Sequence, residues 1–376
     1  MKVSVLQENL ARGLSIVGRA VSTRSTLPVL ANVLLSTDGG RLKLSATNLE
    51  IVITCWINAD VRQEGALTVP ARTFSELVNN LPQETVELET SDETQTLHLE
   101  CGRTEANIRG IDAQEFPLVP EPDLTQSLRL QSGAFKQMIS QVVFAAATDD
   151  TRPTLTGVSM NFSSDGVKLA ATDAFRLSVR TADLERAFED KAIIVPSRSL
   201  AEVARVSSKE DEVLHVTLPE GRNQIIFKLD DIVIVSQLID GNFPDFTPII
   251  PKRHTTRAVM GTAAFLKACR TAAIFARESS HTARVKITPK SELEDGHTTI
   301  SATSAEMGDN VVQVDADVTG EEMEVAFNVK YMTDVLGIID TPQVALETSS
   351  PMEPGVIKPV GGDDFFHIIM PMHFGR

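Results

Sequence analysis

The sequence predicts an α+β chain of three similar domains, each with two helices packed on antiparallel sheet. Three observations lead there. Three landmarks recur in order along the 376 residues, each copy about a third of the chain from the next. Apolar residues keep a helical period in matched stretches of the copies. Between those stretches lie short alternating segments bounded by glycine-bearing turns.

The first landmark is GGRLKLSATNLEIVI from Gly39, matched by DGVKLAATDAFRLSV from Asp165 and DGHTTISATSAEMGDNV from Asp295. It aligns Thr47-Asn48, Thr172-Asp173 and Thr303-Ser304, at offsets of 125 and 131 residues. The second runs ALTVPARTFSELVNNLP from Ala66, AIIVPSRSLAEVARV from Ala192 and MEVAFNVKYMTDVLGII from Met323, and aligns Pro70, Pro196 and Asn328. The third, EFPLVP from Glu115 and NFPDFTPIIP from Asn242, closes the first two copies. Polar, proline-bearing connectors at Pro120–Asp123 and Pro251–His254 divide the chain into 1–123, 124–253 and 254–376.

Element by element, Leu6, Leu10, Leu14, Val17 and Val21 predict a helix over 6–24. Pro70 opens a second over 71–81, since proline suits a helix start. Phe135, Met138, Ile139, Val142 and Val143 predict 133–147, and Pro196 opens 197–209. Phe265, Leu266, Cys269, Ala272, Ala273 and Phe275 predict 262–278, and Asn328 opens 328–340. Arg41–Ser45, Val86–Glu89 and Leu97–Glu100 alternate, as strands with one wet face do. Asp38-Gly39-Gly40, Asp165-Gly166 and Asp295-Gly296 are hairpin signals.

The net charge of −16, from 35 basic and 51 acidic residues, argues against nucleic acid when taken as a sum. Its distribution argues otherwise. The six predicted helices hold 12 basic and 6 acidic residues, so the excess of acid lies outside them. Two readings stay open. Basic residues are good helix formers and turns favour acids; or equivalent helices build a positive face that attracts phosphate without reading bases.

Catalysis finds little support. Asp149-Asp150, Asp230-Asp231 and Asp363-Asp364 are adjacent pairs, which on a strand point to opposite faces, and they read as turn acids. The seven histidines form no HExxH or Cys/His cluster, and no phosphate-binding glycine loop or GxSxG is present. Cys55, Cys101 and Cys269 are too far apart for a zinc motif or disulfide framework. No apolar run approaches the roughly 18 residues of a membrane span, and the N-terminus lacks the apolar core of a signal peptide. No catalytic residue, metal or cofactor is expected, and the expected location is cytoplasmic. A non-catalytic repeat scaffold without DNA, and a hydrolase using an acidic site, remain as alternatives.

STLPVLANVLL from Ser25, LTVPAR from Leu67, LAATDAFRL from Leu169, IIVPSR from Ile193, DGNFPDFTPIIP from Asp240, FNVKYMTDVL from Phe327 and IIMPMHFGR from Ile368 resemble the bacterial sliding clamps, the beta subunits of DNA polymerase III. The resemblance covers essentially the whole chain. It implies the DNA clamp fold: a head-to-tail dimeric ring with inner helices and outer antiparallel sheets, encircling double-stranded DNA without sequence preference. Such a processivity factor associates with the nucleoid during replication and performs no chemistry of its own, although holoenzyme polymerase activity is often attached to it. Implied partners are a second copy of the chain, the replicative polymerase catalytic subunit, the clamp-loader complex, other polymerases and mismatch-repair proteins; no membrane is implied.

The same resemblance assigns residues. Arg24, Arg72, Arg198 and Lys209 would face DNA. Leu155, Thr172, Ala174, Phe175, Arg176, Leu177, Pro244, Ile249, Ile369, Met370, Pro371 and Met372 would line a pocket for a short hydrophobic partner peptide, with one polar group of the peptide near Arg176 or a backbone amide. Leu77, Leu81, Ala106 and Ile108 on one side and Ile274 and Phe275 on the other would form the dimer interface, with Ala106 and Ile108 facing the partner. The chain departs from the family at Ala174 and Phe175, where Gly then His or Tyr is usual, at Pro248, where Arg is frequent, and in the tail His373–Arg376.

Overall fold

The computed structural model describes residues 1–22, 26–91, 93–121, 123–125, 127–164, 166–184, 190–207, 209 and 211–373. Six α-helices run through these residues: α1 Gln7–Val17, α2 Ala71–Asn79, α3 Ser132–Val142, α4 Ser197–Val206, α5 Thr262–Phe275 and α6 Val329–Leu336. Every strand pairing among the described residues is antiparallel. This is the α+β arrangement that the repeats predict, with two helices for each copy.

The landmarks owe their recurrence to local chemistry. Asn48, Asp173 and Ser304 each fold the chain back by accepting two backbone N–H bonds. Asn48 Oδ1 takes those of Glu50 and Ile51, Asp173 Oδ1 those of Phe175 and Arg176, and Ser304 Oγ those of Glu306 and Met307. Pro70 stands at the N-cap of α2, and Asn328 caps α6 by accepting from the N–H groups of Lys330 and Tyr331. Gly39 and Gly40, both at positive φ, make the two-residue turn between Asn32–Asp38 and Arg41–Thr47. The Asp165-Gly166 turn lies partly outside the described residues.

The chain divides into two compact units, Met1–Lys136 with Arg198–Leu238, and Gln137–Ser197 with Ile239–Arg376. The first holds two sheets. One orders its strands Asp60–Gln63, Lys2–Leu6, Thr85–Ser91, Thr96–Cys101, Thr104–Arg109; the other Leu128–Gln131, Val213–Thr217, Gln224–Lys228, Ile232–Gln237, Ile51–Asn58, Arg41–Thr47, Asn32–Asp38, Ala66–Pro70. The eight-stranded sheet joins two copies of the repeat, with Ile234 opposite Ile53 at the junction. Strand pairing across copies is why these units differ in outline from the three sequence repeats. Phe74, Phe135 and Phe227 are fully buried here.

The second unit holds a twelve-stranded sheet: Lys191–Pro196, Gly157–Ser163, Gly166–Thr172, Arg176–Ala182, Phe365–Ile369, Gly355–Pro359, Gln343–Thr348, Thr256–Gly261, Gly308–Gly320, His297–Ser304, Thr282–Thr288, Met323–Asn328. Leu177 pairs with Ile368 where the second copy meets the third. Phe265, Phe327 and Phe365 anchor the core. Gly355 is required there, because a Cβ would stand 2.4 Å from the Phe327 ring.

Helix ends are shorter than periodicity predicts. Leu6 completes a strand opposite Thr85, so α1 starts at Gln7, and Gly18–Ala20 continues it only as a 3-10 turn. Lys209, Arg277 and Asp340 therefore fall beyond α4, α5 and α6. Even so, the six helices carry Arg12, Arg72, Lys136, Arg198, Arg205, Lys267, Arg270 and Lys330 against Glu8, Glu76, Glu202 and Asp334.

Candidate functional site

The turn after Gly166–Thr172 carries the first candidate surface. Thr172 donates its hydroxyl proton to the carbonyl of Arg176, and the Asp173 bonds leave Ala174 in the left-handed region at φ 78. Phe175 is thereby presented to solvent, 61% exposed. The following strand alternates: Leu177 and Val179 join Ala170, Val356 and Ile368 in an apolar cluster, against which Phe243, Phe246, Ile250 and Phe366 pack. Pro244 and Ile249 are exposed on that segment, while Leu155 and Ile369 are buried. The tail Met370–Met372 is half-buried; Met370 N–H donates to the Phe175 carbonyl and Met372 N–H to that of Ala326. The sequence-predicted peptide residues thus all belong to the second unit. Phe243, Phe246 and Ile250 were missed, though NFPDFTPIIP shows them as an aromatic and aliphatic series between prolines.

Arg176 lies on the opposite face of its strand from Leu177, and it is committed. Its Nε donates to Asp173 Oδ2 at 2.9 Å and a terminal nitrogen to Asp334 Oδ2 at 2.6 Å. Its guanidinium carbon stands 4.3 Å from the Tyr331 ring centroid and 5.5 Å from that of Phe144. A peptide's polar group approaching Arg176 would meet a guanidinium whose Nε and one terminal nitrogen are already bonded to carboxylates. Burial, then the Asp173 charge, pushes the Tyr331 phenol up. Two residues on, Ser178 Oγ lies 2.6 Å from His367 Nδ1, and the imidazole rests against Phe144. Complete burial, with the Arg176 charge second, pulls His367 down to about 3, which keeps it neutral.

A second candidate surface belongs to the first unit. Arg12, Ser15, Ile16 and Arg19 from α1 and its 3-10 extension, Arg205 and Val206 from α4, and Lys209 line a cavity of about 310 Å³ with Cys55, Glu212, Asp231 and Ile232. Glu202 forms ion pairs with Arg205 at 2.7 Å and with Arg19 at 3.7 Å, so it stands between two of the cavity's arginines. Burial pushes the Cys55 thiol up to about 11 and leaves it inert. Of the residues assigned to DNA from sequence, Lys209 lines this cavity. Arg198 is exposed on α4, Arg72 is exposed and bonded to Glu76 one turn on, and Arg24 lies outside the described residues. Arg12, Arg19 and Arg205 were missed as site residues, because nothing in the sequence places 12–19 beside 205.

Two sheet edges complete the picture. Thr104–Arg109 ends the five-stranded sheet. Within it Ile108 is buried in its own chain and Ala106 is half-buried, whereas Glu105, Asn107 and Arg109 point outward. Alternation turns the Ile108 side chain toward its own core, and the backbone edge of the strand stays accessible beside it. Leu77 is half-buried and Leu81 buried. In the second unit, Gly308–Gly320 pairs with His297–Ser304 along its first part and with Thr256–Met260 only from Ala316 onward. Its opening residues therefore lack a strand on the other side among the described residues, and Val311 is 67% exposed there. Ile274 is 49% exposed, but Phe275 packs on its own core. Asp149, one of the adjacent acids, caps its own turn by accepting from Thr151 N–H.

Repeated helix-on-sheet units that carry apolar and cationic surfaces are the framework of a binding protein. Family models for the N-terminal, central and C-terminal domains of the DNA polymerase III beta subunit match residues 1–120, 129–245 and 247–373. The beta sliding clamp of Bacillus subtilis is 30% identical over 384 residues, with 99% of each chain covered, and that of Staphylococcus aureus 31% over 363 residues, with 94% of each. Among solved structures, the Bacillus subtilis sliding clamp superposes with a TM-score of 0.92 at 28% identity, covering both chains in full. A Pseudomonas aeruginosa clamp bound to griselimycin does so with a TM-score of 0.90 at 28% identity, again over both whole chains. The chain belongs to the beta sliding clamp family of DNA polymerase III, the non-catalytic processivity factors of DNA replication.

Proposed function

We propose that the chain closes as a head-to-tail dimer around duplex DNA and tethers the replicative polymerase, the clamp loader and other replication and repair proteins through the apolar surface at Phe175, Leu177 and the tail. Three domains of 1–123, 124–253 and 254–376 would supply six to a ring, acting on the chromosome in the cytoplasm. The observation that carries the DNA reading is the gathering of Arg12, Arg19, Arg205 and Lys209 around one cavity in a chain of net charge −16. Cations carried on α1 and α4 and just beyond their ends attract phosphate without reading bases, which suits a sliding contact. Edge pairing between Thr104–Arg109 of one copy and the open start of Gly308–Gly320 of the other supports the dimer, since it would satisfy two unpaired edges at once.

The test uses circular DNA and the cognate clamp loader. Loaded protein is expected to stay on a nicked circle and to leave once the circle is cut. Direct binding engaging four cations should fall about a hundredfold between 50 and 200 mM salt. Arg12→Ala with Arg205→Ala should flatten that salt slope. Equal retention on circular and linear DNA, or affinity indifferent to salt, defeats the reading and favours a scaffold that does not bind DNA.

A further inference from the structure

We propose that Arg176 and Asp334 are a positioning pair, through which α6 sets the spacing between the two walls of the peptide site. The inference rests on the peptide-site reading above. One wall is the turn Thr172–Arg176, the other the tail Met370–Met372, and both lead back to the segment that ends in α6. The tail does so through Met372 N–H, which donates to Ala326 two residues before the α6 cap Asn328. The turn does so through Arg176, which bridges Asp173 beside it and Asp334 on α6. Met370 N–H joins the walls directly at the Phe175 carbonyl.

The geometry separates positioning from contact. Arg176 and Leu177 are neighbours on a strand, so their side chains leave opposite faces. The side chain is 10% exposed, with the guanidinium carbon 4.3 Å from the Tyr331 ring centroid and 5.5 Å from that of Phe144, and with Nε and one terminal nitrogen bonded to carboxylates. The first copy of the repeat shows what the arginine is not needed for. There Leu49 takes φ 77, Thr47 donates to the Ile51 carbonyl, and Asn48 accepts the same two N–H bonds, with Ile51 in place of Arg176. The turn is therefore built locally, and Arg176 adds its tie to α6. That helix is a firm base: Val329, Met332, Val335 and Leu336 are all buried.

The test titrates a labelled peptide with capped ends and only apolar side chains into the full chain and into Arg176→Lys, Arg176→Met, Asp334→Asn and the Arg176→Met/Asp334→Asn double variant. Asp334→Asn and both arginine variants should each weaken binding about tenfold. Lysine should rescue nothing, because it cannot bond two carboxylates in a flat fork between two rings. The double variant should be no weaker than the weaker single, as for two residues acting through one bond. Wild-type affinity in Asp334→Asn or Arg176→Lys overturns the pair, as does an arginine effect seen only with an acidic peptide. A second measurement needs no peptide: hydrogen exchange at Met370 N–H should quicken in Asp334→Asn. Unchanged exchange there overturns the pair, while a wild-type chain that binds no peptide overturns the site reading and leaves the exchange result to judge the pair.

Discussion

His367 should make the second unit lose stability in acid, and the structure fixes the size of the effect. The side chain is 0% exposed, bonded to Ser178, and held at about 3 against 6.5 in the open chain. Between these values the unfolded chain binds a proton that the folded chain refuses, so stability falls as pH drops through 6.5 and levels off only below about 3. The loss attributable to His367 is about 2 kcal/mol at pH 5 relative to pH 8, from about 1.4 kcal/mol per unit over the interval below 6.5. His367→Gln keeps a partner for Ser178 and has nothing to protonate. Urea denaturation of both proteins at pH 8 and pH 5, followed by tyrosine absorbance, reports the unit that holds Tyr331, the one tyrosine of the chain. Comparing the pH-dependent loss within each protein cancels the packing cost of the substitution and the carboxylates common to both. The wild type should lose about 2 kcal/mol more than the variant. Equal losses would refute the buried neutral imidazole.

Two further outcomes follow from the surfaces. Wild-type protein at micromolar concentration should scatter light as twice its 40.9 kDa, and Ile274→Asp should give a folded monomer, since an unpaired carboxylate in a dimer contact costs several kcal/mol. A monomeric wild type ends the dimer reading; Phe275 is left intact because it supports its own core. Deleting the tail from Met370 should weaken apolar peptide binding more than tenfold, on the scale of losing hot-spot contacts, and should leave the number of chains in the assembly unchanged. Undiminished affinity in that deletion refutes the assignment of the tail to the site.

Sequence alone determined the repeated parts, because their causes are local. Asn48, Asp173 and Ser304 recur because a short polar side chain must take two N–H bonds within three residues. Pro70 and Asn328 recur at helix starts because each suits a terminus that lacks partners. Gly39-Gly40 marks its hairpin because both residues need positive φ. The peptide surface was legible only through family resemblance, and the tie between Arg176 and Asp334 was not legible at all, since the two lie 158 residues apart.

Tertiary structure decided the rest. Leu6 fits a helical period, yet pairing with Thr85 draws it into a strand, where cross-strand bonds outweigh weak local propensity. Ile108 has the alternation of a strand, but which face meets the core depends on the sheet it joins, and a shift of one residue would reverse it. Ile53 and Ile234 unite two copies of the repeat, a choice made by which edges meet. Arg12 and Arg205 meet at one cavity for the same reason. Hydrogen bonds within a turn are written in adjacent residues; contacts between elements depend on how distant apolar faces exclude water together, and no short stretch of sequence contains that information.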